Sequence, residues 1–386
     1  MKKAGKRIAP LVALAGMAAF VSFDAGAGIT VFNQDSTNFV LTHGDEKMNA
    51  EGVKEYLDSV IGGGKITHFF ISPNAQVALF DTKTLSPSWW RMDDTTVTWD
   101  DVPRRDYMLF TNGVDVIQVY IDGCRARGVS PWISMRMNDD HFAKNPKWWG
   151  HSRFWVDHPE LRLKGRSCFD YRHKAVRDYH LAFVEEVLDR YDVDGFECDW
   201  MRFPSRQSKE ALTEFMREVR NAAKAAAKRR GHAVLVSVRV DSRPERMAGW
   251  GTDVLTWAKE GLTDWIVPCN FFRSADMELP IAEWQRLVVA ANPSVEVIPG
   301  TDSGVMTKAS DGKRRMMTAA EYRGWADRMF KGGAKGVYLF NLFTFNETKS
   351  YRIVSREPWD FILKEGLTPE SIKHKTTSIP ADWVRE

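Results

Sequence analysis

The chain reads as an α/β protein, a single-domain (β/α)8 TIM barrel with long loops on its C-terminal face. Three observations predict it. Apolar strand-like runs alternate with longer helical patterns, in an order that repeats eight times after the first 28 residues. Connections from a helix into the next strand are short and punctuated by Gly or Pro, as at Gly62-Gly63-Gly64-Lys65, Gly128, Asn292-Pro293-Ser294 and Gly332-Gly333-Ala334. Connections leaving the strands are long, chiefly residues 72–112, 138–173 and 301–317. In such a barrel those insertions all lie on the face where the strands end, where sites are built. A doubly wound open sheet is the alternative, but no Gly-rich phosphate loop follows the first strand.

In order, the predicted strands are Ile29 to Phe32, Ile66 to Ile71, Val129 to Met135, Val193 to Cys198, Val234 to Val240, Trp265 to Cys269, Val295 to Ile298 and Val337 to Phe340. Each is a short apolar run rich in β-branched or aromatic residues, bounded by turn formers. Apolar spacing of three and four predicts helices over Ala50 to Ile61, Val114 to Arg127, Val176 to Tyr191, Glu210 to Arg230, Thr252 to Glu260, Ile281 to Ala291 and Thr318 to Phe330. Residues 28–345 are thus assigned to the barrel and 346–386 to a C-terminal extension packed on it.

Ahead of the barrel, Lys2, Lys3, Lys6 and Arg7 precede an apolar run from Ile8 to Phe23, and small residues follow as Ala25-Gly26-Ala27-Gly28. That is the layout of a secretory signal with cleavage after Ala27. The run is shorter than the ~20 residues a spanning helix needs and holds Pro10. The expectation is a secreted or periplasmic protein, with no stable membrane insertion once residues 1–27 are removed. Their loss also removes the formal charge of +3, and with it the general argument for a nucleic-acid partner.

Hydrophobic residues at 44% and charged residues at 27% exclude a disordered, collagen-like or polytopic membrane chain. Cys124, Cys168, Cys198 and Cys269 have no CxxC spacing, and no HxH or HxxxH pairs stand at strand ends. No metal site and no cofactor are predicted, which argues against a metal-assisted polysaccharide-modifying hydrolase. No G-x-S-x-G elbow marks a serine hydrolase. Fifteen Trp are many for a core. Several, including Trp89, Trp149 and Trp155, fall in the long loops, and Trp200 and Trp250 just past strand ends. There they would either stack on sugar rings or anchor the loops.

Strand alternation then selects inward-facing residues. It turns Glu197 and Asp199 into the barrel on the fourth strand, with Ser134, Arg136 and Asn138 on the third and Ser237, Arg239 and Asp241 on the fifth. Asn33, Asp35, Ser72, Asn74, Asn270, Asp302 and Asn341 complete a polar ring. Charges at such depth need partners, and Arg136 and Arg239 are the expected ones for Glu197 and the aspartates. A ring of carboxylates and amides under aromatic loops suits glycosidic bond cleavage. One carboxyl protonates the leaving oxygen, and an ionised one attacks the anomeric carbon or activates water. Asp199 is the first choice and Asp302 its partner across the barrel, with Asp241 as substitute. Glu197, Arg136, Asn138, Trp200, Arg202, Arg239, Asn270, Asn341, Trp89 and Trp149 are the candidate substrate contacts. A non-catalytic carbohydrate-binding barrel is the alternative. The basic loop Lys308 to Arg315 reads as a solvated charge run, or as a contact for an anionic glycan. His141 reads as a solvated loop residue or a sugar hydrogen-bond donor.

The run Asp194-Gly195-Phe196-Glu197-Cys198-Asp199-Trp200-Met201-Arg202-Phe203-Pro204 resembles the fourth strand of glycosyl-hydrolase-like barrels related to family 10. Arg136 to Asp139, Trp257 to Trp265 and the Pro268-Cys-Asn-Phe-Phe stretch are similar to that group too. The resemblance implies a carbohydrate-active barrel and leaves the substrate and catalytic pair open. The chitinase-like family 18 pattern breaks here, because Met201 stands where its acid Glu belongs. Asp199-Trp200 is also similar, over a few residues, to retaining α-galactosidase-like barrels with a nucleophilic Asp.

Overall fold

The computed structural model describes residues 28–34, 37–142, 144–270, 274–310, 314–340 and 357–385. The expected export signal, Asp35 and Asn341 lie outside them. Eight parallel strands close into a barrel: Ile29–Gln34, His68–Ile71, Ser130–Arg136, Gly195–Asp199, Leu235–Asp241, Trp265–Cys269, a divided seventh and Gly336–Phe340. Closure is made where the eighth strand pairs with the first, Ile29 opposite Gly336, and where the fifth pairs with the sixth, Ser237 opposite Trp265. The seventh strand is in two pieces. Glu296–Val297 pairs with the sixth strand, and Gly300–Thr301 pairs mainly with the eighth. Pro299 lies between them and has no N–H to give the ladder. The α/β barrel predicted from the sequence is therefore the observed fold.

Outward residues of the strands, among them Phe69, Ile133, Phe196, Cys198 and Val238, are fully buried beneath the helices. The helices start where side chains satisfy their free N–H groups: Asn49, Asp100, Asp115 and Ser208 cap four of them, and Thr318 with Glu321 forms a capping box. The insertion after the second strand carries a helix of its own, Asp101–Thr111, inside a segment read as loop. Arg220 of helix Lys209–Arg230 is buried and pairs with Asp264 at 2.8 Å. The C-terminal residues contribute Phe361, Ile362, Leu367 and Ile372 to the core.

Inside, the barrel is filled by a second cluster, Val31, Phe70, Trp132, Trp265, Val267, Cys269, Ile298, Tyr338 and Phe340. Phe70, Trp132 and Trp265 stack, with Trp132 lying 4.7 Å from each of the other two rings. Gly195 makes room for this stack, since a Cβ there would sit 2.3 Å from the Trp132 ring. Asp194 accepts from Ser130 Oγ at 2.5 Å and pairs with Arg125. The Asp-Gly that opens the fourth-strand motif thus serves the barrel floor, and the chemistry-bearing part begins at Glu197. Among the described residues no helix is long and apolar enough to cross a membrane.

Candidate functional site

The register of three neighbouring strands builds the site. Glu197 stands opposite Ser134 on one side and Ser237 on the other, and Asp199 opposite Arg136 and Arg239. Cross-strand neighbours on one face are close enough to bond, so the sheet itself chooses the partners. Arg239 grips Asp199 with both arms of its fork, Nε to Oδ1 and Nη2 to Oδ2, each at 2.9 Å. Oδ1 accepts two more bonds, from the backbone N–H groups of Met201 at 2.9 Å and Arg202 at 3.0 Å. Among the described residues Oδ2 takes only the arginine and keeps a lone pair. Both members of the ion pair are buried, and the Arg239 guanidinium lies 3.8 Å from the centre of the Phe340 ring.

One layer deeper, Glu197 is fully buried. Its Oε1 accepts from Ser134 Oγ and from the Tyr338 hydroxyl, each at 2.7 Å, and from Asn33 Nδ2 at 3.3 Å, while Oε2 accepts from Ser237 Oγ at 3.1 Å. Burial, reinforced by the Asp199 charge, pushes its carboxyl up to about 7, and the bonds from Ser134 and Tyr338 only partly offset this. Arg239 therefore takes Asp199 as expected, but Glu197 is held by hydroxyl and amide groups.

Asp302 follows the seventh strand, three strands round from Asp199, and is 2% exposed. Its Oδ1 accepts from the Ser303 N–H at 2.6 Å and from Ser303 Oγ at 3.1 Å. Burial raises its carboxyl, against those bonds and the more distant charges of Arg239 and Arg202. Burial pushes the Cys269 thiol up to about 12, and the charges of Asp302 and Asp199 add to that rise. Asp241 is drawn aside. It accepts from Trp250 Nε1 and the Arg243 N–H, both at 2.9 Å, and its nearest charged neighbours are Arg246 and Asp276.

The structure corrects several expected contacts. Arg136 pairs with Asp139 at 3.3 Å rather than with Glu197. Asn138 donates to the Trp200 carbonyl at 3.1 Å. On the sixth strand Cys269 points inward, and Asn270, one position on, donates instead to Ser274 at 2.9 Å. Trp200 packs outward against Tyr171, Phe215 and Trp257, because alternation after Asp199 sends it toward the helices. Trp149 is buried and donates to Asp100 at 2.7 Å, and Trp89 stacks on Phe110 beside Tyr107. Trp149 is thus tied to the cap of helix Asp101–Thr111, and Trp89 is half-buried. In the basic loop, Lys308 lies in a short 3-10 turn and Arg315 pairs with Glu321.

His141, read as a solvated loop residue or a sugar hydrogen-bond donor, is half-buried, and the rings of Phe142 and Phe203 beside it were not singled out from the sequence. His141 Nδ1 bonds both oxygens of Asp139, at 2.9 and 3.0 Å, and its Nε2 lies 3.4 Å from Arg202 Nη2. Burial would raise the Asp139 carboxyl, but His141, then Arg136 and Arg202, outweigh it and hold the group well below the usual carboxylate range. The rings of Phe142 and Phe203 flank this histidine. An adjacent His-Phe pair in a polar loop gives no periodic signal. Among the described residues no group of three or more His, Cys, Asp or Glu is placed to hold a metal ion.

No family model matches the chain, and no curated protein matches it. Among solved structures, an endo-beta-1,4-mannanase from Thermotoga petrophila superposes with a TM-score of 0.53 at 13% identity, covering 88% of this chain and 76% of that one. A glycoside hydrolase family 20 beta-N-acetylglucosaminidase superposes at 0.50 with 10% identity, covering 90% and 71%. At such identities the likeness is one of fold. The particular relationship to family 10 implied by the fourth-strand motif is not shown by these comparisons.

Proposed function

We propose that the chain is a glycoside hydrolase, with Asp302 as the proton donor and Asp199 as the ionised carboxylate of the pair. One observation carries the reading: two buried carboxyl groups at the ends of the fourth and seventh strands stand in unlike surroundings. Asp199 is locked in a bidentate ion pair and two backbone N–H bonds, whereas burial favours the protonated form of Asp302. Glycoside cleavage needs such a division between an acid that gives a proton and a base or nucleophile that stays charged. Asp302 would protonate the leaving oxygen. The free lone pair on Asp199 Oδ2 would attack the anomeric carbon or take a proton from water, with Arg239 fixing its direction.

The direct test incubates the purified protein with mannan, xylan, mixed-linkage glucan and chitin oligosaccharides and measures released reducing ends, beside Asp302→Asn. Release by the wild type and not by the variant is expected. Equal background in both across every glycan would sink the proposal. A second reading, a barrel that binds glycan without cleaving it, is favoured by the burial of both carboxylates, at 1% and 2% exposure. On that reading Asp302→Asn binds glycan as the wild type does and neither releases sugar.

A further inference from the structure

Among the described residues only three other than glycine have positive φ: Phe142 at 49°, Phe203 at 58° and His374 at 64°. For a bulky aromatic residue that conformation is strained and persists only where the surroundings impose it. Two of the three meet at one place. The Phe203 ring stands edge-on to His141 at 4.5 Å, and Phe142 lies beside His141 at 6.4 Å and against Trp148 at 4.8 Å. Phe142 is 60% exposed, the most exposed large apolar side chain among the described residues, and Phe203 is half-buried.

The surroundings that impose the strain belong to the candidate site. Asp139 fixes His141 through both carboxylate oxygens, and the turn that bends the chain at Phe203 is made by Asp199 Oδ1 accepting from the Arg202 N–H. The carboxylate assigned to the chemistry therefore also sets the ring four residues on. Arg202 lies 5.7 Å from the Phe203 ring and faces His141 Nε2. A core does not need an exposed phenyl in a strained turn, and a solvated loop would relax it. A ligand with a flat apolar face explains both features.

Resting on the hydrolase reading above, we infer that Phe142 and Phe203, braced by His141, form a stacking subsite for a neutral pyranose unit of the substrate beside Asp199. A pyranose with equatorial hydroxyls turns its axial C–H bonds to its two faces. Such a face covers an aromatic ring without leaving a buried hydroxyl unpaired. The wall offers aromatic rings and a guanidinium already engaged by His141, which suits an uncharged sugar better than a uronate.

Affinity electrophoresis of the full chain, in gels carrying galactomannan, xylan, mixed-linkage glucan, glycol chitin or polygalacturonate, tests this with Phe142→Gly and Phe203→Gly. Glycine removes the ring and relieves the strained φ together. The expected result is retardation of the wild type by at least one uncharged glycan, weakened tenfold or more in each variant, with Tm unchanged or raised. A purely structural role predicts the reverse, a lower Tm with glycan retention intact. That result, retardation by polygalacturonate alone, or no retardation in any gel would overturn the subsite. Reducing-end release on the same preparations keeps the two ideas apart. Hydrolysis that persists in both variants with unchanged KM removes the subsite and leaves the carboxylate pair standing.

Discussion

Replacing each proposed catalytic carboxylate by its amide should have very unequal consequences for stability. In Asp199→Asn the charge facing Arg239 disappears, and an arginine with 1% of its side chain exposed is left uncompensated. Breaking one partner of a buried pair costs about 3–5 kcal/mol. The replacement NH2 group would also point donor against donor toward the guanidinium. At the low end of the usual sensitivity, ~2 °C per kcal/mol for a large domain, Tm should fall by roughly 6–10 °C. Asp302→Asn differs, because burial already favours the uncharged acid and the amide oxygen can still accept from Ser303 N–H and Oγ. Its cost should stay within ~1 kcal/mol, about 2 °C, while loss of the proton donor lowers turnover by ~10²–10⁴-fold. Scanning calorimetry at pH 7 with reducing-end release reads both. If Asp302→Asn is as unstable as Asp199→Asn, Asp302 is a charge partner of the buried arginines and the acid assignment is wrong. Full turnover in Asp302→Asn would be equally damaging.

Glu197 gives a pH prediction. Its folded carboxyl, near 7, lies above the ordinary 4.5, so the folded state holds the proton more tightly than the unfolded chain. Stability from this group is present below pH ~4.5 and is lost as pH rises toward 7, by roughly 3 kcal/mol in all. Glu197→Gln mimics the protonated acid and should flatten the fall of Tm over that window; a parallel profile would refute it. Trp149→Phe removes the 2.7 Å bond to Asp100, the cap of helix Asp101–Thr111. A loss of about 1–2 kcal/mol with KM unchanged is expected, and a raised KM in glycan assays would restore Trp149 as a substrate contact. The C-terminal tail pairs with the loop that follows Asp302, through Val384 N–H to Met306 O at 3.0 Å and Lys308 N–H to Asp382 O at 2.9 Å. Truncation after residue 373 should speed amide exchange at residues 303–308 while leaving the fourth strand protected. Unchanged exchange there would mean that the tail does not brace the Asp302 loop.

The barrel was legible because its signals are local and repeat: apolar runs, short entries, long exits. Inward parity on the fourth strand was legible too, since Phe196 and Cys198 left only one face for Glu197 and Asp199. Parity failed at the sixth strand, where Cys269 and Asn270 offer two small residues and polarity favoured the wrong one. The cysteine faces inward, with Sγ 3.4 Å from Arg239 Nη1. The tryptophans stayed ambiguous in the sequence for a related reason. A loop position places an indole near the rim, but hydrogen bonding decides whether it lies down or stands out. Trp149, Trp155 and Trp250 each spend their N–H on the protein, on Asp100, the Ser167 carbonyl and Asp241. Positive φ at Phe142 and Phe203 leaves no trace in composition or period.

The asymmetry between the two acids follows from the sheet. Asp199 and Arg239 are register partners on adjacent strands, so their fork is fixed by the same ladder that closes the barrel. Arg239 cannot turn to Asp302 without giving up two charge-assisted bonds, and the Phe340 ring packed on its guanidinium resists that rotation. Asp302 sits beyond the break at Pro299, on a segment paired mainly with the eighth strand, where no register partner is cationic. It receives the burial of the barrel without an ion-pair partner among the described residues. A carboxylate on a continuous strand beside an arginine is held in an ion pair, whereas the carboxyl past the broken strand has its charged form disfavoured by burial. The proposed division of labour therefore depends on where the ladder is interrupted as much as on which residues carry the charge.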